Sequence, residues 1–597
     1  MAILHLTLPS TFSLLPPLAH GAPPRSANYQ PSSLMLKCVV VERGMCTKAS
    51  IQSGVVIERQ CANYQPSIWK DEFIQSLHND FWGEAYQRRF NQLKGQVKKL
   101  LREGRDSLEQ LELIDVLQRL GISYHFESEI KDILERISNK FYKEGKKKNS
   151  LYATSLEFRL LRQYQFDISE EVFNAFKDER GDFKTCFYGD TNGMLSLYEA
   201  SFLSTKGETI LEAAKCFAIN HLKEYIKSNK DDLEVEIVKH ALKLPLHWRT
   251  QRLEARWFIE IYERKRTLNP ILLEIAKLDF NMVQSIYQED LKYASSWWRN
   301  TELGQKLSFA RDQLMENFFW TIGIGFEPEL GYFRRMGTKI VTLITMIDDV
   351  YDVYGTLDEL KLFTNTIERW DIAAMDQLPE YMKQCFFTLY NSINEIAFEA
   401  LRNHGVDVMQ YLKKVWVDLC KSYLIESNWY HGGYKPTLEE YMNNAWISVA
   451  GPIMLVHSYI FVSSQITEEE LERLTQYANT IRCSSTIMRL ANDLLSPLDE
   501  QNVGDVPKSI QCYMNEKGTS EKNAREYIRY LIDELWKKLN EYDDEKLVSS
   551  QAFVKMSKNL VRISQCMYQY GDHGHTIDRD KINESVVSLL VTPIIIH

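Results

Sequence analysis

The chain lacks the sequence signatures of several large protein classes. No Gly-x-Gly-x-x-Gly segment follows a strand pattern, so nothing indicates a dinucleotide-binding fold. The ten cysteines include no Cys-x-x-Cys pair, which argues for reduced buried thiols and against a disulfide framework or a zinc site. A net charge of -10 gives no basic surface for nucleic acid. With 597 residues, 44% of them hydrophobic, the chain is long enough for more than one globular domain.

Acidic residues are scarce in residues 1–58. This segment contains no Asp and only two glutamates, Glu42 and Glu58, and residues 1–24 contain no Lys or Arg. The missing basic start argues against a secretory signal, whereas an acid-poor, hydroxyl-rich leader is typical of an organelle transit peptide. Its six prolines prevent a long helix. We therefore predict that residues 1–58 are a disordered transit leader; the alternative is a disordered tail without a targeting role.

Helical periodicity dominates from Trp69 onward, and alternating strand patterns are few. Apolar residues recur at i, i+3, i+4 and i+7 in four clear segments, 105–121, 126–142, 210–228 and 520–540. Leu268-Asn269-Pro270 predicts a turn before a helix over 271–297. We therefore predict an all-α fold with two helical domains, residues 59–270 and residues 271–597.

One uncharged stretch, residues 441–467, is long enough to be mistaken for a membrane span. It contains Asn443, Asn444 and His457, and Ala450-Gly451-Pro452 interrupts it. Polar side chains and an internal Pro favour a buried helix that is broken at residues 450–452. We predict no membrane span, and we expect the freed backbone carbonyls to face a pocket.

The pentad Asp348-Asp349-Val350-Tyr351-Asp352 follows an apolar run that predicts the buried part of a helix. On a regular helix Asp348 and Asp352 lie one turn apart on one face, with Asp349 beside them. Carboxylates on the wall of an apolar pocket are costly unless a cation neutralises them. Hard oxygen ligands suit Mg²⁺, which also bridges to substrate phosphates. This pattern predicts a metal site, although a solvated acidic helix end would have the same sequence.

A second oxygen-rich cluster follows in residues 489–500. Asn492, Ser496 and Glu500 are spaced at i, i+4 and i+8, so a continuous helix would project all three to one side. Arg489 lies one turn upstream, where it could bind an anion. Two facing helices with these ligands could hold a diphosphate through several metal ions.

The two motifs, in this order, resemble those of the class I terpene synthases. Further stretches match the plant monoterpene synthase branch, namely 63–69, 117–122, 248–257, 319–320 and 351–356. The resemblance implies a C-terminal catalytic domain of the class I terpene synthase fold and a helical, α-barrel-like N-terminal domain. It also implies a lyase that ionises geranyl diphosphate with three Mg²⁺ ions, or Mn²⁺ in their place, in the chloroplast stroma. The enzyme would be a monomer or a homodimer.

The resemblance also implies roles for single residues. Arg311, with Arg489, would hold the diphosphate beside Asp348, Asp352 and Asn492, and the metal ligands would be Asp348, Asp349, Asp352, Asn492, Ser496 and Glu500. Trp320 would offer an aromatic face to the carbocation. Tyr568 and Asp572 would belong to the C-terminal pocket cap, where the family order Gly-Asp-Gly-His-Gly is permuted to Gly-Asp-His-Gly-His. Which histidine of this loop, His573 or His575, faces the pocket stays open.

Four departures from the family pattern bear on the product. Gln60 and Gln313 stand where the family has an arginine, Val503 replaces another, and Pro497 interrupts the second metal motif. Glutamine donates hydrogen bonds but lacks the charge and the bidentate fork of arginine. Weaker retention of diphosphate would shorten the life of the cation. We therefore predict mainly acyclic products of the ocimene, myrcene or linalool type.

The sequence leaves three alternative functions open. They are a cyclic monoterpene synthase, a sesquiterpene synthase acting on farnesyl diphosphate, and a non-catalytic binding protein with a terpene-synthase-like fold. The leader disfavours a sesquiterpene synthase, because that branch is normally cytosolic. An isoprene synthase is disfavoured by Val341 and Met488, which stand at the places of two pocket-narrowing phenylalanines.

Overall fold

A computed structural model describes residues 48–52, 55–59, 64–104, 106–144, 150–230, 232–495, 506–541, 551–568 and 579–596. The chain is almost entirely helical over these residues, which confirms the predicted all-α class. The helices of the N-terminal half are α1 (Asp71–Ser76), α2 (Glu84–Glu103), α3 (Ser107–Arg119), α4 (Glu127–Glu144), α5 (Leu151–Gln163), α6 (Thr191–Ser201), α7 (Thr209–Ser228), α8 (Leu233–Lys243) and α9 (Gln251–Glu263). Three of the four segments with the clearest periodicity correspond to α3, α4 and α7. The fourth corresponds to a helix of the C-terminal half, Glu521–Glu541.

The helices of the C-terminal half form the larger bundle. They are α10 (Pro270–Thr301), α11 (Leu303–Lys306), α12 (Leu314–Ile324), α13 (Gly331–Asp349), α14 (Leu357–Arg369), α15 (Glu380–His404), α16 (Met409–Gly432), α17 (Leu438–Ser448), α18 (Gly451–Val462), α19 (Glu468–Thr475), α20 (Asn479–Asp493), α21 (Ser509–Lys517), α22 (Glu521–Glu541), α23 (Gln551–Tyr568) and α24 (Arg579–Leu590). Helix α10 begins where the turn was predicted, because Asn269 caps it by accepting a hydrogen bond from the Ile271 N–H at 3.0 Å, and Pro270 takes the first position.

A short antiparallel β-sheet lies at the end of the predicted leader. Strands β1 (Lys48–Gln52) and β2 (Val55–Arg59) pair with Lys48 opposite Arg59 and Gln52 opposite Val55. The physical reason lies in the β-branched run Val55-Val56-Ile57, which favours extended backbone. The rest of the predicted leader, residues 1–47 and 53–54, lies outside the described residues.

Helices α13 and α20 carry the two acidic motifs at their C-terminal ends, and α18 packs against both of them. Helix α13 is buried along most of its length, as the apolar run before Asp348 predicted. Helix α12 packs on α13, and α23 packs on α12, α18 and α20. The bundle therefore brings the ends of two well-separated sequence segments into the same region.

The uncharged stretch is buried and broken, as predicted. Among the described residues, only Leu438–Val462 is long and apolar enough to cross a membrane by composition, and 78% of its most apolar window is buried inside the protein. Helix α17 ends at Ser448, and Ala450 adopts a left-handed conformation with φ 66° before α18 begins. The apolar composition of this segment is therefore explained by its position in the protein core.

The close approach of α18 to α20 requires glycine at position 451. A Cβ atom built there would lie 2.3 Å from Ser485 Oγ and 3.0 Å from Ser485 Cα. We expect Gly451→Ala to lower the free energy of unfolding by about 1–3 kcal/mol, because the two backbones must move apart. Gly95→Ala on α2, where nothing lies within 4 Å, should instead raise it by up to about 1 kcal/mol. Urea unfolding measures both, and equal effects would contradict the packing argument.

Candidate functional site

The first acidic motif lies where helix α13 gives way to a single wide π-helical turn, Val350–Tyr354. The Gly355 N–H donates to the Val350 carbonyl at 2.8 Å, five residues back. This differs from the regular helix that the spacing predicted, because the extra residue in the turn widens the backbone between Asp349 and Gly355. Asp348 and Asp352 still act on a common neighbour: burial raises the pKa of Tyr423, and the charges of both aspartates raise it further.

Arg311 holds the first two aspartates of the motif. Its guanidinium donates from Nη2 to Asp348 Oδ2 at 2.5 Å, and its backbone N–H donates to Asp349 Oδ2 at 2.7 Å. Arg311 Nε also lies 2.8 Å from Asp349 Oδ1, as an ion pair with poor hydrogen-bond alignment. Burial alone would lower the pKa of Arg311, but Asp349 and Asp348 raise it well above its ordinary value. The carboxylate of Asp349 is fully buried in this contact, whereas that of Asp348 is 29% exposed.

Tyr64, from the N-terminal segment, also contacts Arg311. The sequence alone predicted no role for this residue. The guanidinium carbon of Arg311 lies 5.4 Å from the centre of the Tyr64 ring. Burial raises the pKa of Tyr64, the charge of Arg311 opposes this, and a hydrogen bond to Asp349 adds to the rise. The stretch that contains Tyr64 resembles the family, but the contact of Tyr64 with Arg311 is visible only in the folded chain.

We expect Tyr64→Ala to lower kcat/KM by about fivefold, since a cation–π contact contributes roughly 1 kcal/mol. Tyr64→Phe keeps the ring over Arg311 and removes only the hydroxyl. It should therefore retain most of the activity, and steady-state kinetics with the two variants separates ring from hydroxyl. Equal losses in both variants would contradict a role for the ring.

The second motif departs from its predicted helix. Asn492 lies in the last turn of α20, which ends at Asp493, so the regular helix that would align this spacing does not continue beyond Asp493. Leu494 and Leu495 already form a turn, with the Leu495 N–H donating to the Asn492 carbonyl at 3.0 Å. Pro497 cannot donate the N–H that a regular helix would need there. Ser496 and Glu500 lie outside the described residues.

Arg489 is tied to its own helix rather than exposed. Its Nε donates to Asp493 Oδ1 at 2.8 Å, and its Nη2 donates to the side-chain oxygen of Asn492. Burial would lower the pKa of Arg489, but Asp493 in particular raises it well above its usual value. The guanidinium is therefore a permanently charged group beside Asn492.

Asp493 is a second residue that sequence reasoning missed. Its buried carboxylate accepts hydrogen bonds from Arg489, from the Tyr441 hydroxyl at 3.1 Å and from the Ser509 N–H at 3.2 Å. It thereby joins α20 to α17 and to the start of α21. Its i+4 spacing from Arg489 is a signal that could have identified the pair from the sequence.

Tyr568, at the end of α23, connects the two motifs with an aromatic wall. Burial raises its pKa, while the charge of Arg489 and a hydrogen bond with Asn492 oppose the rise, and Asp348 and Arg311 also act on it. Its ring centre lies 5.8 Å from that of Trp320. Trp320 is 9% exposed and lies on α12. Tyr568 thus hydrogen-bonds Asn492 of the second motif and lies beside Trp320. The charge of Asp348 in the first motif also affects its pKa.

Several predicted residues cannot be located. Asp572 and both loop histidines lie outside the described residues, as do Gln60, Pro497 and Val503. Gln313 immediately precedes α12, and its carbonyl accepts the Asn317 N–H at 2.8 Å. Only Asp312 separates it from Arg311, so both residues belong to the same short segment before α12.

The donor atoms suit Mg²⁺. Within the described part of the chain, no group of three His, Cys, Asp or Glu side chains could hold a metal ion by itself. Mg²⁺ commonly takes only one or two carboxylates and completes its shell with phosphate oxygens and water. Asp348 and Asp352 at one helix end and Asn492 at another therefore fit an ion that a bound phosphate helps to hold.

Comparison with known proteins identifies the family. Residues 299–538 match the terpene synthase family metal-binding domain, and residues 68–242 match the terpene synthase N-terminal domain. A (-)-alpha-terpineol synthase of Vitis vinifera is 57% identical over 93% of this chain and 95% of its own length. The chain belongs to the terpene synthase family. As a terpene synthase it is a lyase that acts on prenyl diphosphates.

Two further comparisons bear on the branch and the metal. A chloroplastic myrcene synthase of Quercus ilex is 55% identical to this terpene synthase over 90% of each chain. The solved isoprene synthase of grey poplar, Populus x canescens, is 45% identical and superposes with a TM-score of 0.81, covering 89% of this chain and 99% of its own. That structure holds three Mg²⁺ ions and dimethylallyl-S-thiolodiphosphate.

Proposed function

We propose that this terpene synthase is a Mg²⁺-dependent monoterpene synthase that ionises geranyl diphosphate and releases diphosphate. The observation that carries the proposal is the position of Tyr568, which hydrogen-bonds Asn492, is influenced by Asp348 and lies beside Trp320. This position supports a diphosphate site that would adjoin an aromatic surface formed by Tyr568 and Trp320. Both relatives named above, an alpha-terpineol and a myrcene synthase, carry the names of monoterpene products.

The metal ligands would come from both motifs. Asp348 and Asp352 would hold Mg²⁺ from one side, and Asn492 with Ser496 and Glu500 from the other; Mn²⁺ satisfies the same oxygen donors. Bound ions would supply positive charge to the leaving diphosphate. Asp349 is buried against Arg311, so we propose that it acts by fixing Arg311, which differs from the predicted direct ligation.

The two arginines would hold the diphosphate oxygens. Arg489 is fixed by Asp493 beside Asn492, so its charge is preorganised and loses little entropy on binding. Arg311 neutralises Asp348 and Asp349 in the structure described here. If Asp348 bound a metal ion, it would no longer be paired with Arg311. The Nη2 group of Arg311 would then be available to donate a hydrogen bond to the diphosphate.

The allylic cation would form next to aromatic and aliphatic side chains. The π faces of Trp320 and Tyr568 stabilise positive charge. Val341 and Ile344 on α13 are 9% and 8% exposed, so they are nearly buried and present apolar surface. Such a lining excludes water from the reactive intermediate.

The product is proposed to be mainly acyclic. Gln313 lies two residues from Arg311 and supplies no second charge to retain the diphosphate after ionisation. Early proton loss or water capture then competes well with isomerisation and ring closure. The alpha-terpineol synthase relative favours the cyclic alternative, because alpha-terpineol is a cyclic alcohol.

Location and organisation complete the proposal. Relatives such as the Quercus ilex enzyme are named chloroplastic, and the acid-poor leader agrees with a plastid destination. We propose the plastid stroma as the site of action. We also propose a functional division near residue 270, at the start of α10, with the enzyme acting as a monomer or a homodimer.

Gas chromatography of volatile products tests the proposal. The full chain is given geranyl or farnesyl diphosphate, each with Mg²⁺ or with excess chelator. We expect monoterpenes from geranyl diphosphate with Mg²⁺ only, and mostly ocimene, myrcene or linalool types. Limonene, pinene or cineole as main products would refute the acyclic prediction, and a preference for farnesyl diphosphate would refute the substrate. No product from either, with a folded protein, would favour a binding protein.

A further inference from the structure

Glu426 on α16 ties down the end of α17. Its Oε1 accepts a hydrogen bond from Ser448 Oγ at 2.5 Å and another from Asn444 Nδ2 at 3.0 Å. Asn444 Nδ2 also donates to the Ser422 carbonyl of α16 at 3.1 Å. Ser448 and Asn444 are buried, and Glu426 is half-buried, so these bonds are only partly exposed to water. The last turn of α17 is therefore fixed to α16 by a half-buried carboxylate.

The tied residue is the one whose backbone carbonyl the helix break releases. In a regular helix the N–H of residue 452 would donate to the carbonyl of Ser448, but residue 452 is proline and has no N–H. Ala450 then turns the chain with φ 66°. The Ala450 N–H donates to the Ile447 carbonyl at 2.9 Å and the Val449 N–H to the Ala445 carbonyl at 3.1 Å. Neither of these bonds uses the Ser448 carbonyl.

The charge of Glu426 acts on Arg489 and on Tyr423, two residues that lie beside the motifs. Its charge raises the pKa of Arg489, in the second motif, together with the larger effect of Asp493. It also raises the pKa of Tyr423, one turn away on α16, where Asp348 and Asp352 act more strongly. The Glu426 carboxylate thus acts on Arg489 of the second motif and shares the neighbour Tyr423 with the first motif, and it is hydrogen-bonded to the residue at the helix break.

We propose that Glu426 is a positioning residue that fixes the orientation of the Ser448 carbonyl dipole relative to the carbocation pocket. The proposal rests on the proposed function, since a carbonyl dipole matters only if a cation forms beside it. Two bonds to one carboxylate oxygen hold the final turn of α17 at the break. Their loss would let the released carbonyl sample several directions, and the cation would then partition differently among its products.

Hydrogen exchange tests the structural half of the proposal without any substrate. We expect Glu426→Ala to speed amide exchange in residues 449–454 by about tenfold, because a charged hydrogen-bond acceptor is lost next to the break. Ser448→Ala should produce part of this effect, and Glu426→Gln, which keeps an acceptor oxygen, should restore most of the protection. Glu439→Ala, on the exposed face of α17, serves as the control and should change nothing. Unchanged exchange in Glu426→Ala would overturn the proposal.

Product analysis tests the chemical half. With geranyl diphosphate and Mg²⁺, we expect Glu426→Ala to change the ratio of acyclic to cyclic products by about fivefold or more, with KM nearly unchanged. Glu426→Gln should return the ratio close to that of the wild type. An unaltered ratio in Glu426→Ala, with faster exchange at the break, would overturn the positioning role. A wild type that forms no product from any prenyl diphosphate would instead refute the proposed function, and the positioning role with it.

Discussion

Asp348→Asn is expected to lower kcat by about a hundred- to a thousandfold, the range found when one preorganised electrostatic group is removed from an active site. The neutral amide has nearly the same shape but no longer neutralises a cation. It also loses the charge that pairs with Arg311 Nη2. Because Asp348 is 29% exposed, the free energy of unfolding should fall by less than about 1 kcal/mol. Single-turnover release of diphosphate from geranyl diphosphate measures the chemical step directly.

Asp358→Asn provides the matched control. Asp358 lies in the first turn of α14, six residues after Asp352, and its side chain is 93% exposed. The same change of charge there should leave kcat within about twofold, since exposed charges are screened by water and salt. A loss of activity in Asp358→Asn equal to that in Asp348→Asn would show that net charge, and not metal ligation, governs the rate.

The largest expected effect on stability comes from Asp493→Ala. Removing this carboxylate leaves the buried guanidinium of Arg489 without its main partner and frees the Tyr441 hydroxyl and the Ser509 N–H. Breaking a buried ion pair on one side costs about 3–5 kcal/mol, because the remaining charge stays desolvated. Chemical unfolding monitored by circular dichroism measures the change. Activity should fall as well, since Arg489 loses its fixed orientation.

Glu469→Ala removes a pair of the same type from a different environment. Glu469 and Arg473 have the same i, i+4 spacing on α19, but their side chains are 73% and 40% exposed. Exposed helical pairs contribute only about 0.3–0.5 kcal/mol. If Asp493→Ala lowered the free energy of unfolding no more than Glu469→Ala, the buried network around Arg489 would not stabilise the protein as predicted.

Local features were predictable where one segment determines them. The start of α10 follows from Asn269 and Pro270, which cap and open the helix through contacts with adjacent residues. The break near Ala450 follows from Pro452, which cannot donate to Ser448. Neither inference depends on which helices pack together, so sequence alone could supply it.

Features that depend on long-range contacts were not predictable. The docking of Tyr64 on Arg311 joins residues far apart in the sequence, and no periodicity encodes it. The tie between Glu426 and Ser448 likewise depends on how α16 packs on α17. The end of α20 at Asp493 could not be located from the sequence, because the i, i+4, i+8 spacing is compatible with a helix whereas Pro497 opposes one.

The two motifs share a design that neither shows alone. Each places an arginine against a buried aspartate, Arg311 with Asp349 and Arg489 with Asp493. In each, a less buried oxygen donor, Asp348 or Asn492, contacts the same arginine. In both motifs the buried aspartate thus fixes a permanently charged guanidinium group against a proposed metal ligand.

Isothermal titration calorimetry with inorganic diphosphate tests the central claim, that both motifs form one Mg²⁺-dependent diphosphate site. The wild type should bind diphosphate with Mg²⁺ and lose binding in chelator, and both Asp348→Asn and Asn492→Ala should weaken it by about tenfold or more. Equal affinity in Mg²⁺ and in chelator would contradict the claim. So would a full loss in one variant with wild-type binding in the other.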